Sequence, residues 1–160
     1  MQINSSFKGF PGHHEPVALS KIGAQNWHVL KGHLPFPLSL IKESAIAHNL
    51  NWMKDFCSSR NLDIAPHGKT TISAELYKMQ IDAGAWGISF ATVFQAGLGI
   101  RNQVKRIIIA NQVFQHSDLD TLSYLLEKNL EVSVFFLVDS FAQLKHIESW
   151  RYSSQSQQVF

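Results

Sequence analysis

Four stretches of strand-forming residues, starting near positions 62, 86, 106 and 131, each precede a segment with helical periodicity. No other feature restricts the fold of this chain as strongly. Each strand-then-helix unit takes about 20 to 25 residues, and joints that short specify a parallel sheet with right-handed crossovers. The first predicted strand is Leu62 to Pro66, with a helix after Thr70 and Thr71. That helix has Glu75 in its first turn, Ile72, Leu76 and Met79 on one face, and Gly84 as its stop. The second strand is Trp86 to Thr92, with a helix from Val93 to about Gln103. The third is Arg106 to Ala110, an isoleucine run of the kind buried on both sheet faces. Its helix opens at Ser117, Asp118, Leu119 and Asp120, a hydroxyl cap and two acids suited to the N-terminal dipole. The fourth strand is Glu131 to Val138, in which Phe135 and Phe136 read as core. Ser140 then caps a helix carrying Phe141, Leu144 and Ile147.

Ahead of these units, Ile46, Leu50, Met53 and Cys57 recur at steps of four, three and four, the face of an amphipathic entry helix. Cys57 on that face reads as a buried small hydrophobe. Residues 1–36 form an irregular leader, punctuated by Gly9, Pro11, Gly12, Gly23, Gly32 and Pro35. Residues 37–150 make the α/β domain, and 151–160 a polar, Ser/Gln-rich tail. Eight such units plus an entry helix approach the ~250 residues of a (β/α)8 barrel, of which four parallel βα units supply half. A four-stranded open, doubly wound sheet is the rival topology, and periodicity does not separate the two.

Composition removes several classes of function. Hydrophobic residues make up 45% and charged residues 16% of the 160, the reverse of a disordered chain. A net charge of +2 without a Lys/Arg run gives no reason to expect nucleic acid. A single cysteine forms neither an internal disulfide nor a cysteine-only zinc site. The longest apolar run, Val134 to Val138, falls far short of a membrane span, and Met1 to Phe10 lacks a signal-peptide core. A cytoplasmic, soluble protein is expected. His13, His14, His28 and His33 lie in the leader without metal-ligand spacing, so no metal is expected. Gly97-Leu98-Gly99 lacks the third glycine of a dinucleotide fingerprint, and no Ser or Cys sits in a nucleophile elbow.

The densest chemistry is Ala65-Pro66-His67-Gly68-Lys69-Thr70-Thr71, where the first strand passes into its helix. Catalytic groups of parallel α/β folds sit at such carboxyl ends, because the loops there converge on one crevice. Gly68-Lys69-Thr70 is not the end of a phosphate-binding loop, since position 63 is aspartate and the loop is too short. Two readings of Lys69 stay open on this ground. It is a nucleophilic amine whose pKa is lowered by desolvation deep in the crevice, or a solvated lysine at a helix start.

Residues 62–71, Leu-Asp-Ile-Ala-Pro-His-Gly-Lys-Thr-Thr, resemble the pyridoxal-phosphate lysine motif of the D-threonine aldolase and D-serine deaminase-like enzymes. The likeness runs on through Asp82-Ala83-Gly84-Ala85-Trp86-Gly87-Ile88, Ala91-Thr92, Gln95-Ala96, Ala110-Asn111-Gln112 and Leu137-Val138-Asp139-Ser140. With the lead-in from Trp27 to Ser39 it spans about residues 27–148. The resemblance implies the amino-terminal half of an alanine-racemase-type, fold-type III barrel. It implies a lyase in which Lys69 forms a Schiff base with pyridoxal phosphate and a D-amino acid displaces it.

His67, two positions earlier and on the same face of an extended strand, contacts the cofactor or is a packed histidine. Asn111, Gln112 and Asp139 are cofactor contacts by the same resemblance, or caps of the helices that follow. The family's remaining strands and carboxy-terminal β domain, with the metal ligands of its metal-dependent members, have no counterpart in these residues. Gly97 and Gly99 interrupt the second helix at up to about 1 kcal/mol each, which reads as a relaxed or truncated gene. Two open sheet edges lead to an expected homodimer or aggregate. A non-catalytic pyridoxal-phosphate homeostasis protein and an inactive remnant are the alternative readings.

Overall fold

In the computed structural model, which describes residues 1–154, the chain divides into two compact units between Ile46 and Ala47. In the first unit, β1 (Gln2–Ile3) and β2 (Val17–Ala18) pair antiparallel. Three single-turn 3-10 helices follow, at Leu19–Lys21, Gly23–Gln25 and Val29–Lys31. Frequent Gly and Pro keep every element here short. Phe10 is buried and meets Trp27 edge to face, with ring centroids 5.4 Å apart.

Helix α1 (Glu43–Arg60) crosses the division and buries none of its residues. Ile46, Leu50 and Cys57 are half-buried and Met53 is exposed, so the expected buried face, Cys57 included, is not formed. Next come α2 (Ala74–Asp82), β3 (Ile88–Phe90), α3 (Val93–Arg101), β4 (Arg106–Gln112), α4 (His116–Lys128), β5 (Ser133–Leu137) and α5 (Phe141–Ser154). The strands form one parallel sheet in the order β3-β4-β5, with Ile88 opposite Ile107 and Ile107 opposite Val134. A doubly wound sheet reverses its strand order at a switch point, and no reversal occurs among the described strands.

The parallel sheet therefore has three regular strands where four were expected. Leu62 to Pro66 runs beside β3 without becoming a strand. The Trp86 N–H donates to the Ile64 carbonyl (2.9 Å), the Ser89 N–H to Pro66 (2.8 Å) and the Gly68 N–H to Ser89 (2.7 Å). One residue pair, His67 with Ser89, closes a bridge. Pro66 has no N–H to donate, and the ladder breaks there.

One face of the sheet carries the core. Ile88, Phe90, Ile107 and Ile109 are buried under Val93, Ala96, Ile100, Leu119, Leu122 and Trp150 of the helices, with Val134 and Phe136 packed alongside. Side chains alternate across a strand, so Ser89, Ile108 and Phe135, which are register partners, lie on the other face. Ile108 is only half-buried, Phe135 is 51% exposed and Leu137 49%. The expectation of strands buried on both faces, with Phe135 in the core, is corrected accordingly. Trp86 covers part of Phe135, its ring centroid 5.6 Å away.

Gly97 and Gly99 do not break α3, which runs through both. A Cβ on Gly99 would sit 2.6 Å from the Phe90 ring, and one on Gly97 3.4 Å from Leu125. Gly99 lets α3 lie close against β3, a packing role in place of the relaxed-gene reading, whereas Gly97 meets only the end of a flexible side chain. The α4 start also differs from expectation. Its N-cap is Gln115, without a side-chain cap bond, and the Ser117 carbonyl accepts from Thr121 Oγ1 (2.7 Å). Asp120 accepts the indole N–H of Trp150 (2.7 Å), tying α4 to α5. Of the tail expected over 151–160, residues 151–154 continue α5, and 155–160 lie outside the described residues. No helix among the described residues is long and apolar enough to cross a membrane.

Candidate active site

The His67-Gly68-Lys69 turn is held by its middle residue. Gly68 is buried, its N–H is bonded to Ser89, and its carbonyl accepts both the Ile72 N–H (3.1 Å) and the Tyr77 hydroxyl (2.9 Å). Only glycine fits. A Cβ there would stand 2.8 Å from each of Ile88, Phe90 and Tyr77. Lys69 follows directly and is exposed, not buried in a crevice as desolvation would require. An ion pair joins Lys78 to Asp82, and none among the described residues holds the Lys69 amine.

His67 points Nδ1 at the Ser89 carbonyl at 3.2 Å. A carbonyl only accepts, so Nδ1 carries the proton in this contact.

The other strand ends carry the remaining predicted residues. Asn111, near the end of β4, donates from Nδ2 to the Ala91 carbonyl (2.8 Å) beyond β3. Gln112, the last residue of β4, donates from Nε2 to Asp139 Oδ2 at 2.6 Å, beyond the end of β5. Gln112 and Asp139 are thus brought together as a pair, while Asn111 and His67 bond backbone carbonyls beside β3. None of Asn111, Gln112 and Asp139 provides the helix cap that was their alternative reading: Gln115 is the N-cap of α4, and Ser140 Oγ receives the Gln143 N–H at the start of α5.

Gln143 and Tyr77 escaped the sequence reading as supporting residues. Gln143 is 2% exposed and holds three backbone groups: Oε1 accepts the Asp139 N–H (3.2 Å), and Nε2 donates to the carbonyls of Val113 (3.3 Å) and Leu137 (3.1 Å). It fastens the ends of β4 and β5 beneath the Gln112–Asp139 pair. Gln95 repeats half of this device, accepting the Ala91 N–H (3.0 Å) while its own N–H donates to Thr92 (3.3 Å). The shared spacing, Thr92-x-x-Gln95 and Ser140-x-x-Gln143, is a capping-box pattern and was the available signal. Tyr77 had no such signal.

Ser73 caps α2, and its hydroxyl donates to Glu75 (2.9 Å). The Glu75 backbone N–H first, and Ser73 second, hold the Glu75 carboxyl below the usual carboxylate range. A carboxylate depressed on folding stabilises above its unfolded pKa, and that contribution disappears as pH falls through the folded value. Protection factors of the amides in the first turn of α2, taken against intrinsic exchange at each pH, are therefore expected to fall on acidification through the carboxylate range, and to lose this step in Glu75→Gln. An identical acid profile for the variant would contradict it.

No protein-family model matches the chain. No curated protein matches it. Solved structures do. The D-threonine aldolase from Filomicrobium marinum aligns with a TM-score of 0.69 and 22% identity, over 78% of this chain and 33% of that one. The D-threo-3-hydroxyaspartate dehydratase from Delftia sp. HT23 aligns with a TM-score of 0.65 and 21% identity, over 75% and 32%. The chain shares their fold. It spans about a third of the length of these neighbours. Among the described residues, no three His, Cys, Asp or Glu side chains converge as a metal site.

Proposed function

We propose that this rim belongs to a pyridoxal-phosphate-dependent lyase acting on D-amino acids, with Lys69 as the cofactor lysine. One observation carries the reading: an exposed lysine follows a sterically obligatory glycine at the carboxyl rim of a sheet whose structural neighbours are a D-threonine aldolase and a D-threo-3-hydroxyaspartate dehydratase. When bound, the cofactor supplies an electron sink for the substrate's α-carbon.

The residues fit one end of that group. Lys69 offers an amine free of any ion pair, and His67 an imidazole two positions away whose Nδ1 is held by Ser89. Asn111, Gln112 and Asp139 offer amides and a carboxylate along the rim. Among these five residues Lys69 is the one fixed cation, so they do not supply a cationic partner for the phosphate. Lys69 would hold the cofactor through its amine, and the same amine would be the group at the rim able to take up a proton. The Gln112–Asp139 pair keeps a negative oxygen oriented at the rim.

The test is chemical labelling. Incubation with pyridoxal phosphate, borohydride reduction and peptide mapping should place the label on Lys69. A label mainly on Lys8, Lys31, Lys105 or another lysine, or undiminished labelling of Lys69→Ala, would overturn the assignment.

The exposed face with Phe135 and Leu137 carries a second part of the proposal, self-association in solution. Sedimentation mass should rise with concentration, and Phe135→Ser should lower it. A monomer at every concentration would refute this.

A further inference from the structure

This inference rests on the proposed role of Lys69 and concerns what aims it. The carbonyl of Gly68 and the nitrogen of Lys69 belong to one planar peptide group. Tyr77 Oη donates to that carbonyl at 2.9 Å from the middle of α2. The Tyr77 ring is 2% exposed and meets Phe90 edge to face, with centroids 5.4 Å apart, so the hydroxyl has little freedom to swing away. Burial pushes the Tyr77 phenol above its ordinary pKa, which keeps it protonated and donating across the neutral and mildly alkaline range.

The Ile72 N–H shares this carbonyl at 3.1 Å and the Gly68 N–H donates to Ser89, so Tyr77 is the side chain that adds to a backbone-held peptide and bonds its oxygen at the shorter distance. We propose that Tyr77 is a positioning residue for Lys69, its hydroxyl setting the plane of the Gly68–Lys69 peptide and thereby the direction in which the lysine side chain leaves the rim.

Tyr77→Phe removes the hydroxyl and keeps the ring, and Ile100→Val on α3 serves as a core-softening control away from the turn. The probe is pyridoxal phosphate itself. Lys69 Nζ adds to the aldehyde carbon, a C=N bond forms with loss of one water, and borohydride hydride reduces it to a stable C–N bond. The readout is the ratio of Lys69 label to Lys105 label in the same sample, which a global loss of stability does not bias. Tyr77→Phe should lower this ratio about fivefold, the factor equivalent to one ordinary hydrogen bond. Ile100→Val should leave it unchanged. An unchanged ratio in Tyr77→Phe, or an equal fall in Ile100→Val, would overturn the proposal.

The NMR order parameter of the Lys69 backbone N–H gives a cofactor-free reading. It should fall in Tyr77→Phe and hold in Ile100→Val, and no change in Tyr77→Phe refutes positioning. A native chain that shows no preference for Lys69 sinks the cofactor assignment instead, and the order parameter then decides on Tyr77 alone.

Discussion

Gly68→Ala is expected to destabilise the chain by about 3 kcal/mol, the upper part of the usual range for overpacking a filled core. The new methyl meets Ile88, Phe90 and Tyr77 at 2.8 Å, a separation that real Cβ atoms essentially never show. All three neighbours are buried, with exposures of 2% or less, and none is the loose end of a flexible side chain. The turn must give way instead, which stretches the bonds from Gly68 to Ser89 and Tyr77 and carries Lys69 with it. Equilibrium unfolding in urea would show the loss, and the preference for labelling Lys69 should fall in parallel. Gly12→Ala, where an added Cβ meets nothing within 4 Å, is the matched neutral change. Equal stability of the two variants would mean the turn is far softer than its contacts indicate.

Gln143→Leu is expected to cost a similar amount, about 3 kcal/mol, by a different mechanism. Leucine matches the volume but strands the carbonyls of Val113 and Leu137 and the N–H of Asp139. Each buried polar group left without a partner costs about 1–3 kcal/mol, and partial access of water trims the sum. Gln143→Glu makes the sign of the electrostatics visible. A carboxylate oxygen would then face two carbonyls, so the defect should be worst at neutral pH. It should ease on acidification, because burial raises that carboxyl's folded pKa and protonation restores a donor. Thermal unfolding across pH reads both variants. A loss below about 1 kcal/mol in Gln143→Leu would show that water replaces the amide.

What the sequence disclosed and what it withheld divide along physical lines. The isoleucines at 107–109 announced β4, whose start at Arg106 was read correctly, because a dense β-branched run has few other uses. Ser140 and Glu75 were placed rightly because capping and dipole chemistry are local. Leu62 to Pro66 misled, since its apolar pattern suits a strand while Pro66 lacks the donor a strand needs. Gly97 and Gly99 misled in the opposite sense. Propensity counts their cost within the helix, whereas the gain at Gly99 arises from Phe90 on another element.

The rim residues Asn111, Gln112 and Asp139 were nameable from resemblance. That Gln112 and Asp139 touch, however, depends on a register shift near the end of β4 that no local pattern encodes. Tyr77 stayed hidden because its partner is a backbone carbonyl outside its own helix, and the Gln143 spacing signals its helix start but not its reach to Val113.

The order β3-β4-β5 also bears on how the chain acquires its structure. Parallel sheets are usually slow to assemble, because long loops must close before any pairing is rewarded. Here each strand adds to the one made just before it, with Ile88 meeting Ile107 and Ile107 meeting Val134. The loops closed are those of a single βα unit, so loop entropy is met in small instalments. A nascent chain can therefore dock β4 on β3, and then β5 on β4, in the order in which they leave the ribosome. During that growth the newest strand always presents an unpaired edge, and β5, with Phe135 and Leu137 exposed, is where a chaperone would find the emerging polypeptide.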